Sequence, residues 1–565
     1  MNDLEKIVYE HGLLNAEKHK GKANPKAIIG SIMGNCADLR SKSKEIAQIA
    51  NSIAEDINKM SAEDQEKEIA KLGLEITHGK KNVEKGLADL VNVSGNVVMR
   101  FAPNPSGPLH IGHSRAVVAN NQYTKKYNGK LILRIEDTDP KRIHGPAYKM
   151  IEEDLEWLDS KIDSVYYQSD RFPIYYEHAE KLIELSVAYV CTCRGEEFKK
   201  LKDESKPCPC RNLSIKENMK LWKKLPEMEV GQAVLRIKAD LNHENPAIRD
   251  WVAMRIVDES HPRFGNKYRV YPMMNFSVAI DDYLMGITHV LRGKDHLTNS
   301  EKQKYIYKYF DWKIPEFIHY GRLKMDDIAL STSKALFGIE DGTYDGWDDP
   351  RLGTLRAIKR RGIQAKSIEE LIDEIGVKIS DSTVSWKKIY GLNRKILEKI
   401  ANRYFFVLNP IKIEIEGIEE FLSKKENLTI QRPLHPDFLD RGDRELSFNG
   451  EVYISKEDFK DGIIRLMDAI NIDISNAQTP NIKTIFHSDS FKQAREIKAR
   501  IIQWVPTNEN INVEVVMPDN TSVQGLSEIS VKDLEVGEIV QFERFGFARL
   551  DKKEKDKLTF YFAHK

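Results

Sequence analysis

Two histidines three residues apart, His110 and His113, close the segment Pro103-Asn-Pro-Ser-Gly-Pro-Leu-His-Ile-Gly-His113. A Pro/Gly-rich loop leads into good helix formers, Ala116 to Lys126, so the pair sits at a helix N-terminus and shares one face. Free backbone N–H groups at such an end favour an anion. Gly107 and Gly112 are expected to let a ligand approach the backbone closely. Two imidazoles beside a helix N-terminus can bind the phosphates of ATP and stabilise charge developing at the α-phosphorus. A zinc hydrolase fits worse, because the HExxH glutamate is absent. Four cysteines form two tight pairs, Cys191-Thr-Cys193 and Cys208-Pro-Cys210. Four thiolates suffice for a tetrahedral structural zinc, which would leave no open position for catalysis; four reduced thiols without metal are the alternative. A basic run holds Arg351, Arg356, Lys359, Arg360 and Arg361. It can contact phosphates in a salt-sensitive way, or form a solvated face.

These groups need elements to hold them. Val97-Val-Met-Arg-Phe101 reads as a buried parallel strand, Ala102 to Pro108 as a loop that can be neither helix nor central strand, and Lys130 to Glu136 as a second strand after the Asn128-Gly129 turn. Strand, phosphate-sized loop, helix and strand make half of a nucleotide-binding α/β unit. Arg100 and Glu136 then end the two strands at the carboxyl edge of the sheet, where such folds bind ligands. Residues 1 to about 92 read as helical, with Ile46, Ile49, Ile53 and Ile57 at spacings of three and four. Residues 145 to 190 also read as helices, and Val278-Ala-Ile280 and His289-Val-Leu-Arg292 as strands. From about 404 the segments Tyr404–Val407, Ile411–Ile415, Val513–Val516 and Phe560–Ala563 alternate between turns, which predicts an all-β barrel region.

The HIGH-like segment, with its flanks Arg100-Phe-Ala-Pro-Asn-Pro-Ser-Gly107 and Arg134-Ile-Glu-Asp-Thr-Asp-Pro140 and the downstream Gly346-Trp-Asp-Asp-Pro-Arg-Leu-Gly-Thr354, resembles glutamyl-tRNA synthetases of the archaeal type, a branch of the class I aminoacyl-tRNA synthetases. The similarity runs along nearly the whole chain. It implies a multidomain α/β fold: a helical domain over 1–95, a Rossmann-type catalytic domain in two halves over 96–170 and 281–334, an inserted domain for the tRNA acceptor end over 171–280, a helical connector over 335–403, and β-barrels for the anticodon over 404–565. It also implies residue roles. Pro103, Gly107, His110, Gly112 and His113 would bind ATP. Arg100 and Arg292 would face substrate carboxylates and Glu136 the α-ammonium, with Ala102 and Asn104 lining the pocket. Met274 stands where the family often has tyrosine, and is either pocket wall or core. Gly321 to Lys334 resembles the KMSKS loop, with Ser331, Ser333 and Lys334 toward ATP, although Thr332 stands where the second lysine usually lies and Lys324 and Arg322 are alternative cations. Arg351, Arg356, Arg360 and Arg361 would face tRNA.

The implied reaction is ATP- and Mg²⁺-dependent ligation of glutamate to tRNA(Glu). The glutaminyl branch shares the motifs but lacks an arginine at the position of Arg292. A non-catalytic RNA-binding relative is a second alternative, favoured by the irregular 330–334 loop and disfavoured by the intact His110, His113, Arg100 and Glu136. The 565 residues are about four domains' worth, and 41% hydrophobic content excludes global disorder. Lys+Arg and Asp+Glu are 87 each, so net charge is zero while local patches stay open. No apolar run approaches the ~20 residues of a membrane span, and Met1 to Glu10 mixes acids with bases, unlike a signal peptide. With an odd number of cysteines, five, a reduced cytoplasmic protein, without a disulfide framework or a membrane, is expected; a monomer is expected as well.

Overall fold

The structure is a computed structural model that describes residues 3–19, 21–35, 42–72, 74, 87–326, 328, 330–423, 428–475 and 482–565. The fifth cysteine, Cys36, lies outside them. Two compact units divide the chain, 1–85 and 86–565. In the first, α1 (Asp3–Lys18), α2 (Pro25–Asn35), α3 (Ser43–Lys59) and α4 (Ala62–Lys71) surround a core of Val8, Leu13, Ile28, Ile32, Ile46, Ile57 and Ile69. Ser61 caps α4 by accepting from Asp64 N. The helical reading holds for these elements; residues 75–86 lie outside the described set, and 87–92 form no helix.

The second unit begins with β1 (Val98–Phe101), α5 (Ile111–Lys126), β2 (Lys130–Ile135), α6 (Ala147–Trp157) and β3 (Ser164–Tyr167). An excursion follows: α7 (Phe172–Glu184), β4 (Ala188–Cys191), α8 (Gly195–Asp203), α9 (Ile215–Lys224), β5 (Val234–Ile237), β6 (Val252–Ile256) and β7 (Val270–Pro272). The chain returns through α10 (Met274–Leu284), β8 (His289–Gly293), α11 (Leu297–Tyr309) and β9 (Glu316–Tyr320). β1, β2 and β3 pair in parallel, as do β8 and β9. The two sets meet where Thr288 N donates to Val98 O (2.9 Å) and Val98 N donates to Thr288 Oγ1 (3.0 Å). Strand order is therefore β3-β2-β1-β8-β9, and the direction of winding reverses between β1 and β8, which opens a crevice at their carboxyl ends.

The excursion forms an antiparallel sheet in the order β4-β5-β6-β7 around Phe172, Tyr175, Trp222, Trp251 and Tyr271. Two expectations are corrected here. Val278-Ala-Ile280 belongs to α10, not to a strand: Phe276 to Asp282 is buried without a break, and a helix covered on all sides has no amphipathic period to betray it. The stretch 145–190 is not wholly helical, since β3 interrupts it and Val190 lies in β4.

Beyond β9 come β10 (Leu323–Met325), α12 (Thr332–Glu340), α13 (Leu355–Arg360), α14 (Ala365–Ile375), β11 (Ser382–Val384) and α15 (Trp386–Ile400), with β10 and β11 paired in parallel. The rest folds into two seven-stranded, barrel-like sheets and a two-stranded pair, Thr429–Pro433 with Asp443–Ser447. One holds Asn510–Val516, Gly546–Lys553 and Lys557–His564 over a core of Val513, Phe542 and Phe560. The other holds Pro410–Glu416, Glu451–Ser455 and Ile482–Ser488 over Ile413, Ile454 and Trp504. Both take in segments that alternate in the sequence. Among the described residues no helix is long and apolar enough to cross a membrane.

Candidate active site

His110 is the N-cap of α5, with extended backbone (φ −120°). Its Nδ1 accepts from Gly112 N (3.0 Å), His113 Nδ1 accepts from His110 N (3.2 Å), and the two rings stack at 3.8 Å. Burial pushes His110 down to about 4 and His113 well below the ordinary imidazole range, with His110 adding to the second shift. Both rings are neutral at pH 7, and since each Nδ1 accepts, each proton sits on Nε2. The pair is thus two fixed Nε2–H donors beside a helix N-terminus. The loop before it is pinned from three sides. Leu109 N donates to Asp154 Oδ2 (2.7 Å), Leu355 N to Leu109 O (2.8 Å) and Ile111 N to Gly353 O (3.0 Å). Burial lifts the Asp154 carboxyl to about 7, against the pull of the Leu109 N–H and Arg356.

The glycines also have a role inside the protein. A Cβ at Gly112 would lie 2.7 Å from the His110 ring, and one at Gly107 would lie 2.5 Å from Thr332 Cγ2 and 2.8 Å from Trp347. Their bareness admits protein neighbours, and in the case of Gly112 it permits the histidine stack.

A cavity of about 500 Å³ lies in the crevice, lined by Arg100, Ala102, Pro103, Asn104, His113, Glu136, Met274, Arg292 and His296 among others. Of the expected ATP residues Pro103 and His113 line it, beside the expected amino-acid residues; His110 and Ser331 face a separate small pocket with Thr332, and Gly107, Gly112, Ser333 and Lys334 line neither. The inner wall carries a dense charge network. Asp282 Oδ1 accepts from Arg100 Nε (3.2 Å) and Arg134 Nη1 (2.7 Å); Arg134 Nη2 donates to Glu136 Oε1 (3.0 Å); Arg171 Nε donates to Asp281 Oδ1 (2.7 Å). Arg292 alone among these arginines has no carboxylate partner: Nη1 donates to Gln303 Oε1 (2.9 Å), and Nη2 contacts the Met274 thioether at 3.8 Å. Four guanidiniums against three carboxylates leave one positive charge in excess.

Burial first, then the proximity of Arg100, pulls Arg292 down to about 10. Burial raises Glu136, and Arg134 and Arg100 pull it only part of the way back. Each is strained in the sense that an opposite ligand charge would relieve. Asn104 Nδ2 donates to Glu136 O (2.9 Å), and its Oδ1 is buried without a partner. Arg134, Asp282 and Gln303 were not anticipated as site residues. Arg134 could have been, since it stands two positions before Glu136 and so shares its face of the strand.

Elsewhere the expectations fare unevenly. Ser331 caps α12, with Lys334 N as donor (3.4 Å), and Ser333 and Lys334 are exposed in its first turn. Residues 327 and 329, inside the KMSKS-like loop, lie outside the described set. Lys324 and Arg322 are engaged by Asp381 and Asp295, at 3.3 and 2.8 Å. The four arginines expected to face tRNA do not make an open cationic patch. Arg351 pairs with Asp349 (2.6 Å), Arg356 with Glu153, and Arg360 with Asp348 (3.2 Å) and Asp551 (2.8 Å). Arg361 is 2% exposed, bonded to Tyr390 Oη (2.6 Å) and stacked on Trp386. A run of basic residues on a short helix turned some charge inward, where acids and aromatic rings from other elements take it up.

The four cysteine sulfurs lie within 4.8 Å of one another. Cys191 and Cys208 are 3.9 Å apart, Cys193 and Cys210 3.7 Å. A tetrahedron of thiolates about 2.3 Å from zinc has edges of about 3.8 Å, so the cluster fits the ion. Its hydrogen bond with Cys191, foremost, draws the Cys208 thiol down to about 5, toward thiolate.

The family model for the catalytic domain of class I (E and Q) tRNA synthetases matches residues 96–399, and two models for anti-codon binding domains of the same class match 401–488 and 501–551. The chain belongs to this family. A glutamate–tRNA ligase of Methanobrevibacter smithii is 62% identical over 565 residues, and one of Methanothermobacter thermautotrophicus 54%, each covering the whole of both chains. A solved glutamate tRNA ligase of Elizabethkingia meningosepticum matches at 21% identity and a TM-score of 0.39, over 54% of this chain and 70% of that one, too slight a likeness to bear on the fold. In this class I synthetase, then, the paired histidines, the strand-end arginine and the acid after β2 converge on one crevice of the catalytic domain.

Proposed function

We infer that this chain is a glutamate–tRNA ligase. The observation that carries the choice of amino acid is Arg292, a guanidinium with no bonded carboxylate, in a buried charge network that has one surplus positive charge beside the cavity. Free glutamate bears one net negative charge and fills that deficit; glutamine bears none. The side-chain carboxylate would meet Arg292, the α-ammonium would meet Glu136, and Arg100 would face the second carboxylate, with Ala102 and Asn104 shaping the wall.

The first step requires no general base, because an α-carboxylate is already ionised at pH 7. A carboxylate oxygen attacks the α-phosphorus of ATP, pyrophosphate leaves, and glutamyl-adenylate results. This in-line displacement depends on positioning and on donors aimed at developing charge. The two Nε2–H groups, the α5 N-terminus and the Lys334 ammonium are the candidates, with Pro103, Gly107, Gly112, Ser331 and Ser333 lining the nucleotide's path. Mg²⁺ would arrive with the nucleotide and offset its phosphate charge. A ribose hydroxyl at the tRNA 3′ end then attacks the acyl carbon, and AMP leaves.

The inserted domain at 171–280 would take the acceptor end, the region 404–565 the anticodon, and 335–403 would connect them. A structural zinc on Cys191, Cys193, Cys208 and Cys210 would tie the end of β4 to the loop after α8. The protein would work as a cytoplasmic monomer. Amino-acid-dependent ATP–pyrophosphate exchange with tRNA present tests the assignment: glutamate should support exchange, and Arg292→Leu should lower its kcat/KM by about 10²-fold, the loss expected when a charged hydrogen-bonding pair is left half-made. Equal exchange with glutamine in the wild type would refute it.

A further inference from the structure

Gln303, on α11, is completely buried and touches both flexible members of the specificity wall. Its Oε1 accepts from Arg292 Nη1 at 2.9 Å, and its Nε2 lies 3.9 Å from the Met274 sulfur. Arg292 Nη2 reaches the same sulfur at 3.8 Å, and Arg292 Nε is buried with no partner. The guanidinium is therefore held in place by one neutral carbonyl and one thioether. No carboxylate is bonded to it among the described residues; Asp282 and Glu136 act on it only from a distance. The neighbouring arginines are treated differently, since Arg100 and Arg134 both bond to Asp282 and Arg171 bonds to Asp281.

We propose that Gln303 is a positioning residue that sets the choice between glutamate and glutamine, by orienting Arg292 through an uncharged acceptor and so keeping its positive charge for the substrate. This rests on the assignment of Arg292 to the side-chain carboxylate. A carboxylate at 303 would do the same orienting while satisfying the guanidinium in advance. An apolar side chain of equal length would free the guanidinium without neutralising it. The two substitutions therefore separate orientation from charge.

The test measures kcat/KM for glutamate and for glutamine, by ATP–pyrophosphate exchange with tRNA present, in the full-length wild type, Gln303→Glu and Gln303→Met. In Gln303→Glu, the glutamate-to-glutamine ratio should fall by about 10²-fold, because a charge-assisted bond to the substrate is replaced by one inside the protein. In Gln303→Met, the glutamate KM should rise by roughly 10-fold with kcat little changed, while the ratio falls far less, since only a hydrogen bond to a charged group is lost. A ratio in Gln303→Glu equal to that of the wild type overturns the proposal. Should that variant fail to fold, an unchanged glutamate KM in Gln303→Met overturns it. A wild type that does not prefer glutamate overturns the assignment of Arg292 first, and this proposal with it; a selective wild type with indifferent variants overturns this proposal alone.

Discussion

Arg292 and Glu136 are perturbed in opposite directions by the same cause, burial without a full complement of opposite charge. An amino acid with an ammonium at one end and a carboxylate at the other would relieve both. The histidines follow the same reasoning with a different result. Both are neutral, which suits them to be oriented donors and not cations. His113→Asn, which keeps a short polar side chain, should lower adenylate formation by about 10²-fold, as loss of one transition-state donor does, while the melting temperature shifts by only a few degrees. An unchanged rate would remove His113 from the chemistry. The depressed His110 value also predicts acid sensitivity. Its folded pKa, about 4, lies below the ordinary 6.5, so the unfolded chain binds more protons between those values. Stability from this group is full above about 6.5 and is lost as pH falls toward 4. Melting curves across that range should show a shallower loss in His110→Asn, which keeps the cap and removes the titration. At this scale the sequence pointed to Arg100, Glu136 and His113, which the fold brings to one cavity, and to His110, stacked on His113. It concealed Asp282 and Gln303, whose importance lies in partners more than a hundred and about ten residues away, contacts that no local spacing announces.

Among elements, those with sharp boundaries were the legible ones. β1, the Pro-rich loop, α5 and β2 were readable because proline, glycine and a turn punctuate them. α10 was not, because its burial on all sides erases the helical period and leaves an apolar run that a strand would also show. The cysteine cluster shows how a spacing becomes a site. One C-x-C pair lies at the end of β4 and the other at the turn Pro209–Asn212, and a small core of Tyr189, Cys191, Phe198, Cys208 and Cys210 packs the two together. Elemental analysis of gently purified protein should find about one zinc per chain, the count for one closed four-thiolate site. Stripping it with a strong chelator should free four reactive thiols and impair transfer to tRNA more than amino-acid activation, since the cluster belongs to the excursion and not to the crevice. Metal-free protein with native transfer activity would argue against a structural ion there.

For the molecule as a whole, the helical connector and the C-terminal sheets are joined by specific polar contacts. Arg360 pairs with Asp551 (2.8 Å) and stacks on Tyr561, and Asn393 Nδ2 meets His564 Nε2 at 3.0 Å. Of the basic run that looked like a phosphate-binding face in the sequence, Arg360 and Arg361 reach this junction, while Arg351 and Arg356 are taken up by Asp349 and Glu153. Arg360→Ala should therefore loosen the joint and leave the salt dependence of tRNA binding almost unaltered, whereas a phosphate-contacting residue would change the logarithmic slope by about one. Composition allowed several domains and a neutral chain with local patches; it had no means of saying which arginines would find acids after folding.

A buried charge network with one surplus positive charge should select an acidic amino acid for ligation to RNA. Charging of purified tRNA(Glu) with labelled glutamate and labelled glutamine, side by side at equal concentration, tests it most directly. Glutamate should give acid-precipitable label that depends on ATP, and glutamine almost none. Comparable label from both amino acids, or from glutamine alone, would contradict it.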